Sequence, residues 1–223
     1  MIKLTEVTKE FPRRGAALQD VTFHIRKGEF AFLTGHSGSG KTTTLRMIHM
    51  ADRPTRGEVR VSGFSSKLTS DGEVWKLRRR VGMVFQDFRL LPGRTAMENV
   101  AFALEVTGTP RSDVNPKAQR LLSQVGLSAK AGARPSELSG GEQQRVAIAR
   151  ALATEPLVLL ADEPSGNLDQ RATAGILELF RELNASGMSV LMATHDIELI
   201  RNVPDIRVLE LDDGRLVYDS LDA

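Results

Sequence analysis

Eight residues, Gly35-His36-Ser37-Gly38-Ser39-Gly40-Lys41-Thr42, fit the pattern G-x-x-x-x-G-K-[ST] and carry the types needed to hold a polyphosphate. Glycines let successive backbone amides turn inward around phosphate oxygens, where a side chain would block the approach. A helix opening near Lys41 adds the positive end of its dipole. Lys41 supplies a point charge for the β- and γ-phosphates of a nucleotide, and the Thr42 hydroxyl is a ligand for Mg²⁺. The competing reading is a glycine-rich turn that only joins strand to helix. Context disfavours it, because the apolar run Phe30 to Leu33 precedes the loop and a helical pattern through Leu45 and Ile48 follows.

A second apolar run, Leu157 to Ala161, ends abruptly in Asp162-Glu163. Ligands of open α/β sheets bind outside the carboxyl ends of the strands, so both acids fall at the site of the loop. Neighbours on an extended chain point opposite ways, which suits two different tasks. Asp162 would hold Mg²⁺, through water, and Glu163 would orient or deprotonate an attacking water. The alternative is a pair that caps the next helix or binds an arginine. Gln86, after Val84-Phe85, and His195, after Leu191 to Thr194, also follow apolar runs. A lone Gln or His is usually structural. At this sheet edge, Gln86 is placed to touch Mg²⁺ or the water, and His195 to hydrogen-bond the γ-phosphate. Asp169 would position groups near the water, on spacing alone.

The elements that must carry these residues follow from hydrophobic period. Ile2 and Leu4, then Val21, Phe23 and Ile25, alternate with polar residues and predict antiparallel strands over the first part of the chain. Phe30 to Leu33, Val81 to Phe85, Leu157 to Ala161 and Ser189 to Ala193 read as buried strands. Gly57 to Gly63 is a short strand, and Val208 to Leu211 with Leu216 to Tyr218 is a hairpin turning at Asp212-Asp213-Gly214. Between Asp87 and Pro156 the pattern becomes helical. Asn115-Pro116 reads there as a cap followed by an N1 proline. Ile176, Leu179, Phe180 and Leu183 make one helix stripe. The plan is a mostly parallel sheet with a helical insertion and an antiparallel flank.

Leu138-Ser139-Gly140-Gly141-Glu142-Gln143-Gln144-Arg145 precedes a helix through Val146, Ala149 and Leu152, and is a second helix N-terminus with small residues in front. Here the chain resembles the ABC (ATP-binding cassette) ATPases, whose signature is LSGGQ or LSGGE followed by a Gln-Arg pair. A fixed string of this kind arises by chance in roughly one of several thousand chains. The resemblance covers the whole chain: Gln86 matches the Q-loop, Asp162 and Glu163 the Walker B motif with its catalytic glutamate, Ser165 to Asp169 the D-loop, and His195 the switch histidine. It implies an α/β P-loop NTPase fold with a RecA-like core, residues 1–86 and 157–223, and a helical signature subdomain, residues 87–156. It implies ATP hydrolysis with Mg²⁺. It further implies a homodimer in the ATP-bound state, in which Ser139, Gly140, Gly141 and Glu142 face the partner's nucleotide, while Thr43 belongs with the phosphate loop. Phe11 takes the place of the aromatic that stacks on adenine; a hydrophobic contact under the first hairpin is the alternative.

Phe85-Gln86-Asp87-Phe88-Arg89-Leu90-Leu91-Pro92 and Thr95-Ala96-Met97-Glu98-Asn99-Val100-Ala101 resemble the cell-division branch of that family, Asp87 above all. That branch pairs with an integral membrane protein, the permease-like FtsX, and the complex controls peptidoglycan hydrolysis. ATPases of lipoprotein release and macrolide export share much of the segment. The resemblance places the chain on the cytoplasmic face of the plasma membrane, held by its partner. Phe88, Leu90 and Leu91 are either the socket for that partner or internal core. The start of the sequence lacks the build of a signal peptide, and no apolar run approaches the roughly 20 residues of a membrane span. With 30 Lys and Arg against 28 Asp and Glu, no strong nucleic-acid footprint is expected, and Arg78-Arg79-Arg80 reads as a solvated helix face. The absence of cysteine excludes disulfides and Cys-ligated metal.

Overall fold

A strand covered on both faces must be apolar on both, and Phe30–Thr34 (β3) meets that condition up to its last residue, the half-buried Thr34. Phe30 and Phe32 enter one hydrophobic cluster, Ala31 and Leu33 the other. In the computed structural model, which describes residues 1–12, 15–201, 203 and 205–222, β3 lies inside a six-stranded sheet. The spatial order is β10 (Arg215–Asp219), β9 (Arg207–Asp212), β3, β8 (Ser189–Ala193), β7 (Val158–Asp162) and β6 (Val81–Val84). Every neighbouring pair is parallel except β9 and β10.

The two faces of this sheet gather different partners. On one side, Phe32, Val84, Leu159, Val190 and Met192 join apolar residues of α3 (Ala96–Val106), α4 (Arg111–Gln124), α5 (Gly140–Ala151) and α6 (Gln170–Ala185). The stripe Ile176, Leu179, Phe180 and Leu183 is the buried face of α6. On the other side, Leu160, Leu191 and Leu209 meet Leu45 and Ile48 of α1 (Lys41–Ile48) and a four-stranded antiparallel sheet. That sheet orders β2 (Gly15–Ile25), β1 (Ile2–Phe11), β4 (Arg56–Val61) and β5 (Phe64–Ser65). Its strands present Ile2, Leu4, Val21, Phe23, Ile25, Val59 and Val61 to the core, as their alternation predicts. Two short helices, α2 (Val74–Arg78) and α7 (Ile197–Arg201), are the remaining α-helices among the described residues. Among the described residues no helix is long and apolar enough to cross a membrane.

Two local features answer the sequence reading. The β9–β10 turn has positive φ at Asp213 (43°) and Gly214 (78°), the signature of a type I′ hairpin. The helix expected to open at Pro116 instead opens at Arg111 and carries Pro116 inside it. Val114, Ala118 and Leu122 are buried one turn apart, and burying Val114 recruits the extra turn. The hydrogen bond that Pro116 forfeits belongs to the carbonyl of exposed Ser112, where water can replace it.

His49 closes α1, and burial together with the Arg78 guanidinium pushes its pKa down to about 4. A histidine held neutral by the fold contributes stability above its unfolded value, and that contribution is lost as pH falls from 6.5 towards 4. Urea unfolding should show roughly 1 kcal/mol lost per pH unit across that window. His49→Gln should flatten the slope. An unaltered slope in the variant would assign the acid sensitivity to other groups.

Candidate functional site

Parallel register brings the strand ends to one level. Leu33 of β3 and Asp162 of β7 both pair with Ala193 of β8, and Val84 of β6 pairs with Ala161. The segments that follow must therefore meet beyond the same sheet edge. They enclose a cavity of about 280 Å³ lined by Ser37, Gly38, Gly40, Lys41, Thr42 and Thr43 on one side, and by Gln86, Asp162 and Glu163 on the other.

The loop's curvature is fixed from behind. A Cβ at Gly35 would overlap the Leu211 carbonyl oxygen, and one at Gly40 would sit 2.7 Å from Leu18 Cδ2 and 2.8 Å from the Ala17 carbonyl. These glycines are thus required by the packing of the loop on β2 and β9, rather than by room for phosphate in front. The Lys41 side chain is only 5% exposed, and its ammonium donates to the carbonyls of Gly35 (2.7 Å) and His36 (3.0 Å). The Thr42 hydroxyl donates to Asp162 Oδ1 at 3.1 Å. Burial, reinforced by the neighbouring Glu163, raises the Asp162 pKa against the opposing pull of that hydroxyl.

Glu163 is the strained member. Its φ is +47°, a left-handed conformation that a residue with a Cβ adopts at a cost. Its amide still donates to the Ala193 carbonyl at 2.9 Å, which holds the turn. The carboxylate ends 3.0 Å from His195 Nδ1 and 3.8 Å from Lys41 Nζ. His195 itself is exposed and lines a neighbouring cavity of about 420 Å³ with Glu163 and Ser165.

Several predicted site residues lie elsewhere. Ser39 is fully buried with its hydroxyl unpartnered, and neither it nor Gly35 lines the cavity. Asp169 caps α6, accepting from the Ala172 amide at 2.8 Å. Phe11 ends β1, half-buried, with the Lys9 ammonium 4.9 Å over its ring, and is not part of the phosphate cavity. Ser139 opens α5 in a reciprocal cap with Glu142. Glu142 spends its carboxylate on the Ser139 amide and hydroxyl (2.8 and 2.9 Å), which holds its pKa low. Within its own chain the carboxylate thus serves the helix cap, while the resemblance sets Glu142 in the signature that faces a partner's nucleotide. Gly140 and Gly141 pack on Leu168 and Ala172 instead of their own chain's phosphate loop. Phe88, Leu90 and Leu91 are half-buried, with Leu90 against the core.

Sequence reasoning missed the supports of Gln86. The Asn167 amide donates to the Gln86 carbonyl at 3.1 Å. Phe88 and Arg89 are consecutive left-handed residues (φ 53° and 50°), and the Arg150 guanidinium of α5 donates to both carbonyls, at 2.7 Å for Phe88. Arg89 stacks 3.6 Å over the Phe85 ring and pairs with Asp87 at 3.1 Å. No local pattern announces contacts that span 60 to 80 residues.

A phosphate-cradling loop, strand-end carboxylates and a serine-capped helix that opens with two glycines on an inserted helical block together define an ATP-binding cassette. The chain matches the family model "ABC transporter" over residues 18–166. It is 51% identical over 221 residues to the cell division ATP-binding protein FtsE of Mycobacterium tuberculosis, covering 99% of this chain and 96% of that one. It is 50% identical over 216 residues to FtsE of Escherichia coli, covering 97% of both. A solved dimeric ATP-binding cassette in a post-hydrolysis state, bound to ADP and Pi, superposes with a TM-score of 0.86 at 39% identity, covering 98% of this chain and 97% of that one. The chain belongs to the ABC transporter family of ATPases, in the branch of the cell-division ATP-binding proteins.

Because burial and Glu163 disfavour an ionised Asp162, its charge is a cost to the nucleotide-free fold at neutral pH. Asp162→Asn keeps an acceptor for Thr42 and should raise Tm by about 2–4 °C in the absence of nucleotide while lowering ATP turnover. Differential scanning fluorimetry beside a phosphate-release assay would check both. A lowered Tm would mean that the carboxylate stabilises the site it was expected to strain.

Proposed function

We propose that the chain hydrolyses ATP with Mg²⁺ as the motor of a cell-division complex, peripheral to the cytoplasmic face of the membrane and coupled to an FtsX-like integral membrane permease. The family and the relatives' names support the activity and the process. The site supports the division of labour. Residues 1–86 and 157–223 act as the nucleotide-binding core, and residues 87–156 as the helical lobe that meets the partner.

The residues present fit a magnesium nucleotide. Thr42 and Asp162 already share a hydrogen bond at the cavity floor, so both oxygens converge on one point, and a hydroxyl with a carboxylate is an oxygen donor set suited to Mg²⁺. Bound there, Mg²⁺ would neutralise charge on the β- and γ-phosphates. Gln86, across the same cavity, adds an amide oxygen. Lys41 trades its carbonyl contacts for phosphate oxygens. Glu163, between Lys41 and His195, orients a water and takes its proton, and His195 donates towards the γ-phosphate. Phe11 serves adenine by stacking, on the ring face opposite the Lys9 ammonium.

The second anion site, at Ser139 to Gly141, lies off its own chain's cavity. A head-to-tail homodimer uses it, each α5 N-terminus closing on the partner's nucleotide. The dimeric state of the solved cassette supports this arrangement.

One observation carries the catalytic reading: a carboxylate held in a strained turn at 3.0 Å from an imidazole, beside the phosphate cavity. Glu163→Gln should keep ATP binding and lose at least ~100-fold in turnover. A wild-type rate in that variant removes Glu163 as the base. Lys41→Ala should weaken nucleotide binding itself, read by fluorescent-nucleotide titration, and unchanged affinity would count against the loop.

A further inference from the structure

We propose that His36, Asp212 and Asp213 form a binding site for one divalent transition-metal ion of the zinc class, which ties the β9–β10 hairpin to the phosphate loop. His36 belongs to the loop by sequence, yet it is not part of the nucleotide cavity. Its ring turns outward, towards the hairpin.

The positions of the two ring nitrogens carry the inference. Nδ1 lies 2.7 Å from the Ser37 carbonyl oxygen, so Nδ1 bears the proton and donates. Nε2 faces Asp212 Oδ1 at 3.2 Å and Asp213 Oδ1 at 3.5 Å. A neutral ring in that tautomer would aim a lone pair at two carboxylates. A metal cation between the ring and the two carboxylates would make the arrangement favourable. Two atoms each about 2.1 Å from a tetrahedral ion lie about 3.4 Å apart, and the two distances from Nε2 to the carboxylates, 3.2 and 3.5 Å, bracket that value. All three ligand atoms fall within 4.8 Å of one another.

The remaining features agree. Metal-bound histidines commonly donate their second N–H to a backbone carbonyl, which fixes the ring. One imidazole with two carboxylates suits Zn²⁺, Co²⁺ or Ni²⁺ and is a poor set for Mg²⁺, which demands oxygen alone. The side chains are 53%, 60% and 90% exposed, leaving water free to take a fourth position. Two backbone contacts hold the pieces in place: the Gly214 amide donates to the Ser39 carbonyl at 3.0 Å, and Gly35 packs on the Leu211 carbonyl. The site is therefore preorganised, and the ion would cross-link two loops far apart in sequence. It would also offset two negative charges beside a loop built for polyphosphate.

The test uses the full chain, without affinity tag, nucleotide or Mg²⁺, stripped by chelation. Co²⁺ titration should give visible absorption bands saturating at one ion per chain. Zn²⁺ should displace Co²⁺ and raise Tm by roughly 5–10 °C at a hundred-fold excess over its Kd. Asp212→Asn with Asp213→Asn keeps the turn, since Asn tolerates positive φ, and should abolish both effects. Asp162→Asn, which removes the carboxylate beside Thr42, should leave them intact. Absence of Co²⁺ uptake at millimolar concentration would overturn the site. Equal uptake by the doubly substituted chain would overturn it as well. Neither result would bear on nucleotide binding.

Discussion

The structure turns on one buried ammonium. Lys41 is 5% exposed, and two loop carbonyls with a carboxylate 3.8 Å away are its partners among the described residues. Taking a charge out of water costs several kcal/mol unless it is compensated. Carbonyl dipoles supply part of that compensation and Glu163 another part. A polyphosphate supplies it fully, which is why a loop that is stable as drawn is also primed to exchange its own carbonyls for phosphate oxygens. The demand propagates outward. The loop has to curl so that Gly35 and His36 present their carbonyls inward, and the curl is possible only because the hairpin and β2 brace it from behind.

Three of the left-handed residues gather at the same edge. Glu163, Phe88 and Arg89 adopt left-handed φ, each at a cost of order 1 kcal/mol or more. Each is held by a long-range hydrogen bond, from Glu163 to the Ala193 carbonyl and from Arg150 to the carbonyls of Phe88 and Arg89. The parallel strands beneath supply the rigid level from which these turns spring. The parallel strands contain no left-handed residue, and the continuous apolar clusters on both faces of the sheet keep that level fixed.

Much of this was legible in sequence, for identifiable reasons. Contiguous signals survive in one dimension: the glycine-lysine loop, the runs that end in Asp162-Glu163 and in His195, the stripe on α6 and the Asp-Gly hairpin. Each depends on local period or on a single turn. What was illegible depends on tertiary contacts. Burial of Val114 extended α4 past a proline that local rules place at its start. Ser39 and Glu142 have the right types in the right motifs, yet one is packed beneath Gly35 and the other is consumed by its own helix cap. Arg150, Asn167 and the pairing of His36 with the hairpin join residues 60 to 180 apart, and no pattern of spacing encodes them.

The contacts around Gln86 give a physical basis for coupling across the molecule. Its backbone is held by Asn167, which precedes α6, and the next residues are held by Arg150, near the end of α5. The start of α5, at Gly140 and Gly141, packs on the start of α6. Segment 86–89 is therefore clasped from both helices while its first side chain borders the phosphate cavity. Two adjacent left-handed residues are poor absorbers of small motion, because neighbouring backbone conformations are sterically closed. A shift of Gln86 towards a phosphate must then move the Arg150 anchor, or else break the two hydrogen bonds that its guanidinium donates. Moving the anchor moves α5, and with it the N-terminus that faces away from its own nucleotide. The chemistry at one edge and the α5 N-terminus proposed above to meet a second subunit are thus linked by a short path of directional bonds rather than by general flexibility of the chain.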